Sequence, residues 1–304
     1  MDRRQFLVVT GQGAGVIGLA SLSGCSSLFE GEAAAGGANV AHVAGSQHQV
    51  FVSGGGPGEN GSAFVIDPLD HQVHDLGGDG SSSVLDASVH RGLGELNSPI
   101  DAQMDTDGRL YVLDHGNHQI RIYDPQGQAI GTIGGNGDLH LPQDMQVHEG
   151  RIYVCDTLTH QIDVFDTDGN LVSTIGEFGI DGGKELNGPV SITVGNDGNL
   201  HVLEVGNGEV QVFTTGGEPV RQYGGVGEIG DMVRPRSVVA LGDGRICVGD
   251  PSGGLVHVFT EGGDYLGAFK PLDPSGKPTV PVRLSLMPDG GLYVWNNGFE
   301  SFDA

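Results

Sequence analysis

The stretch GRLYVLDHGNHQIRIYDPQG, from Gly108 to Gly127, contains two short apolar runs bounded by turn residues. Leu110-Tyr111-Val112 and Ile120-Arg121-Ile122-Tyr123 are rich in the β-branched and aromatic residues that favour strands. Asp114 lies between the runs, where its short acceptor side chain can bond to backbone N–H groups of a turn. The stretch therefore predicts an antiparallel hairpin between tight turns.

The same arrangement returns along the chain in units of about 40 residues. Each unit opens with a proline, at Pro99, Pro142, Pro189, Pro235 and Pro281. Turn glycines follow at Gly108, Gly150, Gly198, Gly244 and Gly290. An acidic or amide residue then follows the second strand, at Asp114, Asp156, Glu204, Asp250 and Asn296. Outer strands are expected to end at Ile133, Ile175, Tyr223 and Phe269. Each unit therefore predicts a four-stranded antiparallel meander, which buries both faces by packing against its neighbours.

The order proline, Gly-x-Leu-Tyr-Val-x-Asp, Asn117-His118-Gln119-Ile120 and Tyr123-Asp124-x-x-Gly127 resembles the NHL repeat. The resemblance covers about residues 40 to 304. It implies an all-β fold, a six-bladed β-propeller of four-stranded antiparallel blades around an axis.

The two ends of the repeat region depart from the pattern. A degenerate first unit is expected in residues 40 to 80, with Val50-Phe51-Val52 as its second strand and Phe64-Val65-Ile66 as its third. Residues 279 to 304 are expected to supply only three strands of the last blade. An N-terminal strand could supply the fourth, and Ser27-Leu28-Phe29-Glu30 is the apolar candidate.

Composition limits the classes of partner. The chain has a formal net charge of -25 and only 14 Lys and Arg residues, whereas phosphate binding needs clustered cations, so nucleic acid is disfavoured. The acid excess resembles that of salt-adapted proteins, in which carboxylates maintain hydration in high salt. A halophilic source is the first interpretation, and an ordinary acidic secreted protein is the alternative.

Residues 1 to 25 have the three parts of an export signal. Arg3 and Arg4, followed by Phe6-Leu7, resemble the twin-arginine motif, and Leu22-Ser23-Gly24-Cys25 resembles a lipobox. The resemblance implies lipid attachment at Cys25 and anchoring to the outer face of the cytoplasmic membrane, at the cell surface or in the periplasm. An uncleaved membrane helix is the alternative, although this stretch is short and interrupted by glycines. Residues 26 to 37 are then a tether and 38 to 304 the propeller.

Two further cysteines, Cys155 and Cys247, lie in alternating apolar runs of different repeats. Buried packing is expected for both, since a disulfide would require strands from separated units to meet.

Residues just after the repeat prolines are expected to line the channel mouth, where propellers commonly bind ligands. The candidates there are Asp101, Gln143, Asp144, Arg236 and Arg283. They could form a polar mouth that holds a cation or a small polar ligand, or they could bond to turn N–H groups and to one another.

One enzymatic branch of the repeat family, the peptidyl-hydroxyglycine amidating lyases, has zinc-binding histidines directly after several of these prolines. The matching positions here are Ile100, Gln143, Val190, Arg236 and Val282, none of which can act as an imidazole ligand. No zinc site is predicted. His118 and His160 occupy equivalent repeat positions and are expected to be turn residues, with ligand contact as the alternative.

Three functions remain open. The first is a binding scaffold for a surface or periplasmic protein, a peptide or a glycan, with no cofactor. The second is a lactonase-like or lyase-like enzyme that uses one divalent cation in the channel near Asp101 and Asp144. The third is a partner subunit of an exported redox enzyme. No nucleophile elbow, zinc-protease motif, phosphate loop or haem-attachment motif is found in the sequence, so the binding scaffold is favoured.

Overall fold

The computed structural model describes residues 95–135, 137–225, 232–272, 278–286 and 292–295, together with short strands at 8–9, 17–18, 49–52, 63–67, 72–76 and 82–84. Within these residues the regular elements are strands, apart from a single 3₁₀ turn at His115–Asn117. No helix among them is long and apolar enough to cross a bilayer.

The described strands form six four-stranded sheets and one two-stranded sheet. Sheets 1 to 5 are numbered in chain order, and sheet 6 is the one that contains the C-terminal strands. Sheet 1 contains Gln49–Val52, Ala63–Asp67, Gln72–Leu76 and Ser82–Val84. Sheet 2 contains Pro99–Met104, Leu110–Asp114, Gln119–Tyr123 and Ala129–Ile133. Sheet 3 contains Pro142–His148, Arg151–Asp156, Gln161–Asp166 and Leu171–Ile175. Sheet 4 contains Pro189–Val194, Leu200–Glu204, Glu209–Phe213 and Pro219–Tyr223. Sheet 5 contains Ser237–Ala240, Arg245–Asp250, Leu255–Thr260 and Tyr265–Phe269. Sheet 6 contains Arg283–Leu286 and Leu292–Trp295 with Val8–Val9 and Ile17–Gly18.

Sheets 1 to 5 are antiparallel meanders in which consecutive strands pair, as the repeat predicts. Their predicted outer-strand ends at Ile133, Ile175, Tyr223 and Phe269 are confirmed. The predicted hairpin glycines adopt a positive φ, for example 78° at Gly108 and 76° at Gly127. Glycine tolerates this conformation because it has no Cβ. The periodic glycines therefore set the strand lengths.

The hydrophobic core lies between sheets rather than within one sheet. One buried cluster joins Tyr111 and Ile120 of sheet 2 to Ile152 and Phe165 of sheet 3. Further clusters join sheet 3 to sheet 4, sheet 4 to sheet 5, and sheet 5 to sheet 6. Val73 of sheet 1 packs against Ala102 and Val112 of sheet 2. Sheets 2 to 5 thus each bury their two faces against different neighbours, as expected of a stacked repeat.

The first strands also contact one another in order, from sheet 1 through to sheet 6, and the first strand of sheet 6 contacts that of sheet 1. Side chains on the first strands of distant sheets are therefore brought towards one region.

The end of the sheets at which the repeat prolines lie is called here the proline end. Connections after the second strands meet the segments that precede the first strands there: Gly116 N donates to Asn97 O at 2.7 Å, and Gly206 N donates to Asn187 O at 3.0 Å.

Four acids that close the second strands, called here the signature acids, hold these connections. They are Asp114, Asp156, Glu204 and Asp250. Each is buried and accepts backbone N–H groups that lie one or two residues before the repeat proline. Their donors are Asn97 N at 2.6 Å, His140 N and Leu141 N at 2.7 and 2.9 Å, Asn187 N at 2.6 Å, and Val233 N and Arg234 N at 2.8 and 3.1 Å. The predicted role of these residues as backbone acceptors is confirmed.

The expected strand order of the first unit is wrong. Gln49–Val52 is the first strand of sheet 1 and Ala63–Asp67 is the second, because Gln72–Leu76 and Ser82–Val84 add the third and outer strands. Without a repeat proline in this unit, the sequence pattern had no marker for the first strand.

The last sheet also differs from expectation. Val8–Val9 pairs in parallel with Leu292–Tyr293, at the edge where a third C-terminal strand was expected. The candidate closing segment Ser27–Glu30 lies outside the described residues. Cleavage before Cys25 would remove Val8–Val9 and Ile17–Gly18 and leave sheet 6 with Arg283–Leu286 and Leu292–Trp295.

Cys155 and Cys247 are buried and are not joined in a disulfide, as predicted. Burial raises the pKa of the Cys247 thiol to about 12, so this thiol is poorly nucleophilic at neutral pH.

Candidate functional site

The second residue after each repeat proline forms a chain of contacts between sheets. These residues are Asp101, Asp144, Ser191, Ser237 and Arg283. In sheets 2, 3 and 4 a β-bulge at the start of the first strand lies between the repeat proline and this residue. The sequence therefore places one polar side chain from each sheet at an equivalent point.

Four of these side chains accept a backbone N–H group from the next sheet. Asp101 Oδ2 accepts Met145 N, Asp144 Oδ2 accepts Ile192 N, Ser191 Oγ accepts Val238 N, and Ser237 Oγ accepts Leu284 N, at 3.3, 2.9, 3.0 and 3.1 Å. The Ser191 hydroxyl also donates to Asp144 Oδ2 at 2.6 Å. These bonds satisfy N–H groups on the strand edge that faces away from the second strand.

Arg283 completes this set of contacts in a different way. Its Nη2 lies 2.8 Å from Asp144 Oδ1 and 3.2 Å from Asp101 Oδ1, so it joins sheet 6 to sheets 2 and 3. The guanidinium is partly buried, with 21% of the side chain exposed, and both carboxylates are almost fully buried. We call Asp101, Asp144 and Arg283 the inner-strand triad.

Burial of the triad has an electrostatic consequence. Burial raises the pKa of Asp101 to about 7, although the Arg283 charge lowers it, and the nearby Asp144 carboxylate raises it further. The two acids therefore repel each other, and Arg283 is the neighbouring cation that balances them.

Three of the five predicted mouth residues are thus brought together, and two are not. Gln143 is half-buried at the bulge of sheet 3, while Arg236 is exposed and its backbone N donates to Gly249 O at 2.9 Å. Ser191 and Ser237 were missed as members of the set, although their offset from the repeat proline equals that of Asp101 and Asp144. Cys25, Arg3 and Arg4 lie outside the described residues.

His118 and His160 are turn residues, as expected. Their φ angles are 54° and 59°, and the equivalent positions in sheets 4 and 5 are Gly208 and Gly254, with φ of 66° and 63°. The His160 ring also bonds to Gly188 N, with Nδ1 at 3.0 Å. Among the described residues, no group of three or more His, Cys, Asp or Glu side chains could hold a metal ion.

Exposed apolar side chains mark the proline end. Leu158, Phe178, Ile180, Val233 and Val280 all lie in its connections. Phe178 and Ile180 are 65% and 69% exposed, and the Phe178 ring lies 4.6 Å from the His160 ring. We call Phe178 and Ile180, which are two residues apart on one connection, the apolar loop cluster.

The segment that carries Phe178 and Ile180 is held by its own short parallel ladder. Glu177–Phe178 pairs with Glu185–Leu186, with Glu177 N to Lys184 O at 3.1 Å and Gly179 N to Leu186 O at 3.2 Å. The Leu186 side chain is fully buried and anchors this ladder to the core between sheets 3 and 4. The two exposed side chains are therefore presented by a fixed backbone.

Comparison with known proteins places this architecture among the β-propellers. An NHL repeat model matches residues 96–123. No curated protein sequence matches the chain.

Three solved structures illustrate the likeness. A virginiamycin B lyase from Staphylococcus aureus is 14% identical, with 78% of this chain and 77% of that chain covered and a TM-score of 0.56. A chain of a nidogen/laminin complex is 12% identical, with 80% and 82% covered and a TM-score of 0.57. A gluconolactonase from Xanthomonas campestris is 18% identical, with 79% and 81% covered and a TM-score of 0.55. At such low identity these similarities establish a shared fold.

Substitution of Arg283 tests the balance of charge within the triad. Arg283→Met should lower the free energy of unfolding by about 3 kcal/mol at about pH 8, because two buried carboxylates lose their cation. The loss should shrink at about pH 5. Because the folded-state pKa of Asp101 is raised to about 7, Asp101 is protonated in the folded protein at pH 5 and the pair of acids then needs less positive charge. The stability that this bound proton contributes is lost as pH rises through 7. Denaturant unfolding at both pH values measures this.

Lys184→Met is the control, because Lys184 pairs with Glu218 at the surface and both side chains are more than half exposed. It should have little effect at either pH. Equal losses at both pH values in Arg283→Met would contradict the proposed role of the arginine charge.

Proposed function

We propose that this chain is an exported, lipid-anchored, six-bladed NHL-type propeller that binds a protein, a peptide or a glycan at its proline end. The six sheets and the cyclic order of contacts among their first strands support the six-bladed ring. The fold alone does not determine a function, whereas exposed apolar side chains at the proline end favour binding.

The observation that carries the proposal is the apolar loop cluster. Phe178 and Ile180 are each about two-thirds exposed on an ordered connection, although burial of such side chains from water is favourable. Large exposed apolar side chains on one surface commonly mark an interaction site. Because the parallel ladder already fixes the backbone, binding would cost little additional conformational entropy.

A protein or peptide ligand is the best fit to such a surface, since aromatic and aliphatic anchors dominate protein interfaces. The structural similarity to a chain of a nidogen/laminin complex agrees with this interpretation, because that chain was crystallised with a protein partner.

Polar substitution of the cluster should weaken ligand binding. Phe178→Ser with Ile180→Ser removes two anchors, and an affinity loss of about tenfold or more is expected. The measurement is crosslinking capture of cell-envelope proteins, peptides and glycans on the immobilised full chain, followed by affinity measurement with each captured species.

Leu171→Ser with Val172→Ser is the matched control, because these side chains are both 47% exposed but lie on the outer strand of sheet 3. The control should bind as the unmodified chain does. Retention of the same ligands at the same affinity by the Phe178→Ser and Ile180→Ser variant would refute binding at this cluster.

The location is proposed from the sequence of the first residues. Arg3 and Arg4 would direct twin-arginine export, and Cys25 would carry two acyl chains, which suffice for stable membrane attachment. The acid excess supports a salt-adapted source.

Replacement of the lipidated residue tests this location. Cys25→Ser should move the protein from the membrane pellet to the soluble or extracellular fraction, as followed by immunoblotting of fractions. Cys155→Ser is the control and should remain with the membrane. A Cys25→Ser protein that still sediments with membranes would contradict lipid anchoring at this residue.

A metal-dependent hydrolase or lyase is the second candidate. The raised pKa of Asp101 beside Asp144 favours it, since perturbed acids cluster at catalytic sites, as does the fold shared with a lyase and a gluconolactonase. The triad fits a cation poorly, however, because the Arg283 guanidinium already lies against both carboxylates.

Turnover assays separate the two candidates. Under the enzyme hypothesis, Asp144→Asn should lower lactone or lyase turnover by about a hundredfold or more, while Asp168→Asn, on an exposed turn, should leave it unchanged. Absence of metal-dependent turnover in the unmodified chain on both substrate classes would exclude those two activities.

A further inference from the structure

The junction between the second and third strands of sheet 4 carries an unusual pair of acids. Glu204, the signature acid, is the direct strand partner of Glu209. The equivalent partners are Asp67 and Gln72 in sheet 1, Asp114 and Gln119 in sheet 2, Asp156 and Gln161 in sheet 3, and Asp250 and Leu255 in sheet 5. Like charges directly opposite each other in a sheet are destabilising. Among sheets 1 to 5, sheet 4 is therefore the one with an acid directly opposite its signature acid. In sheet 3 a second acid, Asp163, lies two residues further along the third strand, and burial and the Asp156 charge raise its pKa to about 7.

The sister sheets show how the signature acid is normally balanced. In sheet 2, Gln119 Nε2 donates to Asp114 Oδ2 at 2.9 Å, and Arg121 Nη2 lies 3.8 Å from the same oxygen. In sheet 5, His257 Nε2 lies 3.9 Å from Asp250 Oδ2.

Sheet 4 has different residues at both of these positions. Glu209 replaces the donor glutamine of sheet 2, and Gln211 stands where sheets 2 and 5 have Arg121 and His257. Gln211 Nε2 donates to Glu185 O at 2.5 Å, and the same side chain interacts with the Glu204 carboxylate and lowers its pKa. The substitutions thus place an acid opposite Glu204 and a neutral amide where sheet 2 has a cation, which leaves more negative charge near the Glu204 carboxylate.

Burial makes this imbalance costly. Glu204 is fully buried, and its Oε2 accepts Asn187 N at 2.6 Å and Asn207 Nδ2 at 3.1 Å. Its other oxygen, Oε1, has no hydrogen-bond partner within the part of the chain that the structure describes. A buried polar atom in this state costs free energy unless a partner is supplied.

Glu209 converges on the same point. It is 8% exposed, and its Oε1 accepts the same Asn207 Nδ2 at 3.4 Å. The pKa of Glu204 is raised to about 7, mainly by burial. The bond from Asn187 N lowers this pKa, and the Glu209 charge raises it. The carboxylates of Glu204 and Glu209 therefore both contact the Asn207 amide, and one bound ion could lie between them.

We propose that Glu204 and Glu209 bind a Ca²⁺ ion at the proline end of sheet 4. Ca²⁺ takes hard oxygen ligands from carboxylates, amide carbonyls and water in flexible geometry. The cation would supply the charge that Arg121 supplies in sheet 2 and would coordinate the unpartnered Glu204 oxygen. The Asn207 amide can turn its Oδ1 towards the ion, because amide orientation follows its surroundings.

The site is distinct from the inner-strand triad and from the apolar loop cluster, and it does not depend on the proposed binding function. Its role would be to hold the connection at residues 205–208 against the segment at 185–187, which Glu204 Oε2 already contacts through Asn187 N at 2.6 Å.

The test is thermal unfolding of the chelator-treated full chain with and without CaCl₂, at about pH 8 and at high, constant KCl so that general screening does not change. At Ca²⁺ roughly a hundred times Kd, the midpoint should rise by about 4 °C. Equilibrium dialysis should give one Ca²⁺ per chain.

Glu209→Gln is the diagnostic variant, because it restores the residue found in sheets 2 and 3. It should fold, lose the calcium-dependent shift and match the calcium-loaded protein in stability to within about 1 kcal/mol, which is roughly a fivefold change in the unfolding constant. Glu149→Gln removes an equal charge from an exposed turn and should keep the full calcium shift.

Two results would overturn the proposal. The first is an unmodified chain that binds no Ca²⁺ and whose stability falls as pH rises through 7 regardless of calcium, which would mean that a shared proton balances the two acids. The second is a calcium shift that persists unchanged in Glu209→Gln, which would place the ion elsewhere. Because dialysis measures binding directly, the proposal remains testable even if the variant fails to fold.

Discussion

The bond between a buried carboxylate and the backbone N–H groups just before the first strand of the same sheet is the constraint on which this structure depends. It recurs at Asp114, Asp156, Glu204 and Asp250, and at each it joins the end of a second strand to the connection that enters its own sheet. A connection at the surface needs partners for its backbone groups, and one ionised side chain can satisfy two of them. The conformations of the proline-end loops follow from these bonds.

The first strands repeat this solution between sheets. Asp101, Asp144, Ser191 and Ser237 each accept an N–H group of the next sheet, and Arg283 returns from sheet 6 to the first two of them. Three of the five candidate mouth residues, Asp101, Asp144 and Arg283, are therefore used in contacts between sheets. The connections remain exposed, and the one carrying Phe178 has its own parallel ladder and presents two large apolar side chains.

Much of the fold could be predicted because its determinants are local and periodic. Prolines, turn glycines and signature acids fix four strands in each of sheets 2 to 5, and the structure confirms their ends. Sheet 1 was misassigned because it lacks the proline, although Asp67 and Gln72 repeat the spacing of Asp114 and Gln119 and could have set its register. That the mouth residues bond to one another was one of the two alternatives from the sequence, but the pairing of Arg283 with Asp101 and Asp144 could not be specified, because these residues are more than a hundred positions apart.

Backbone hydrogen exchange would test most directly whether side chains couple the sheets into one unit. The amides of Met145, Ile192, Val238 and Leu284 bond to the preceding sheet, so they should share one high opening free energy, equal to that of global unfolding. The exposed outer-strand amide of Val172 should exchange much sooner. Opening free energies that differ from sheet to sheet, each well below the global value, would show that the sheets open independently and would contradict this account.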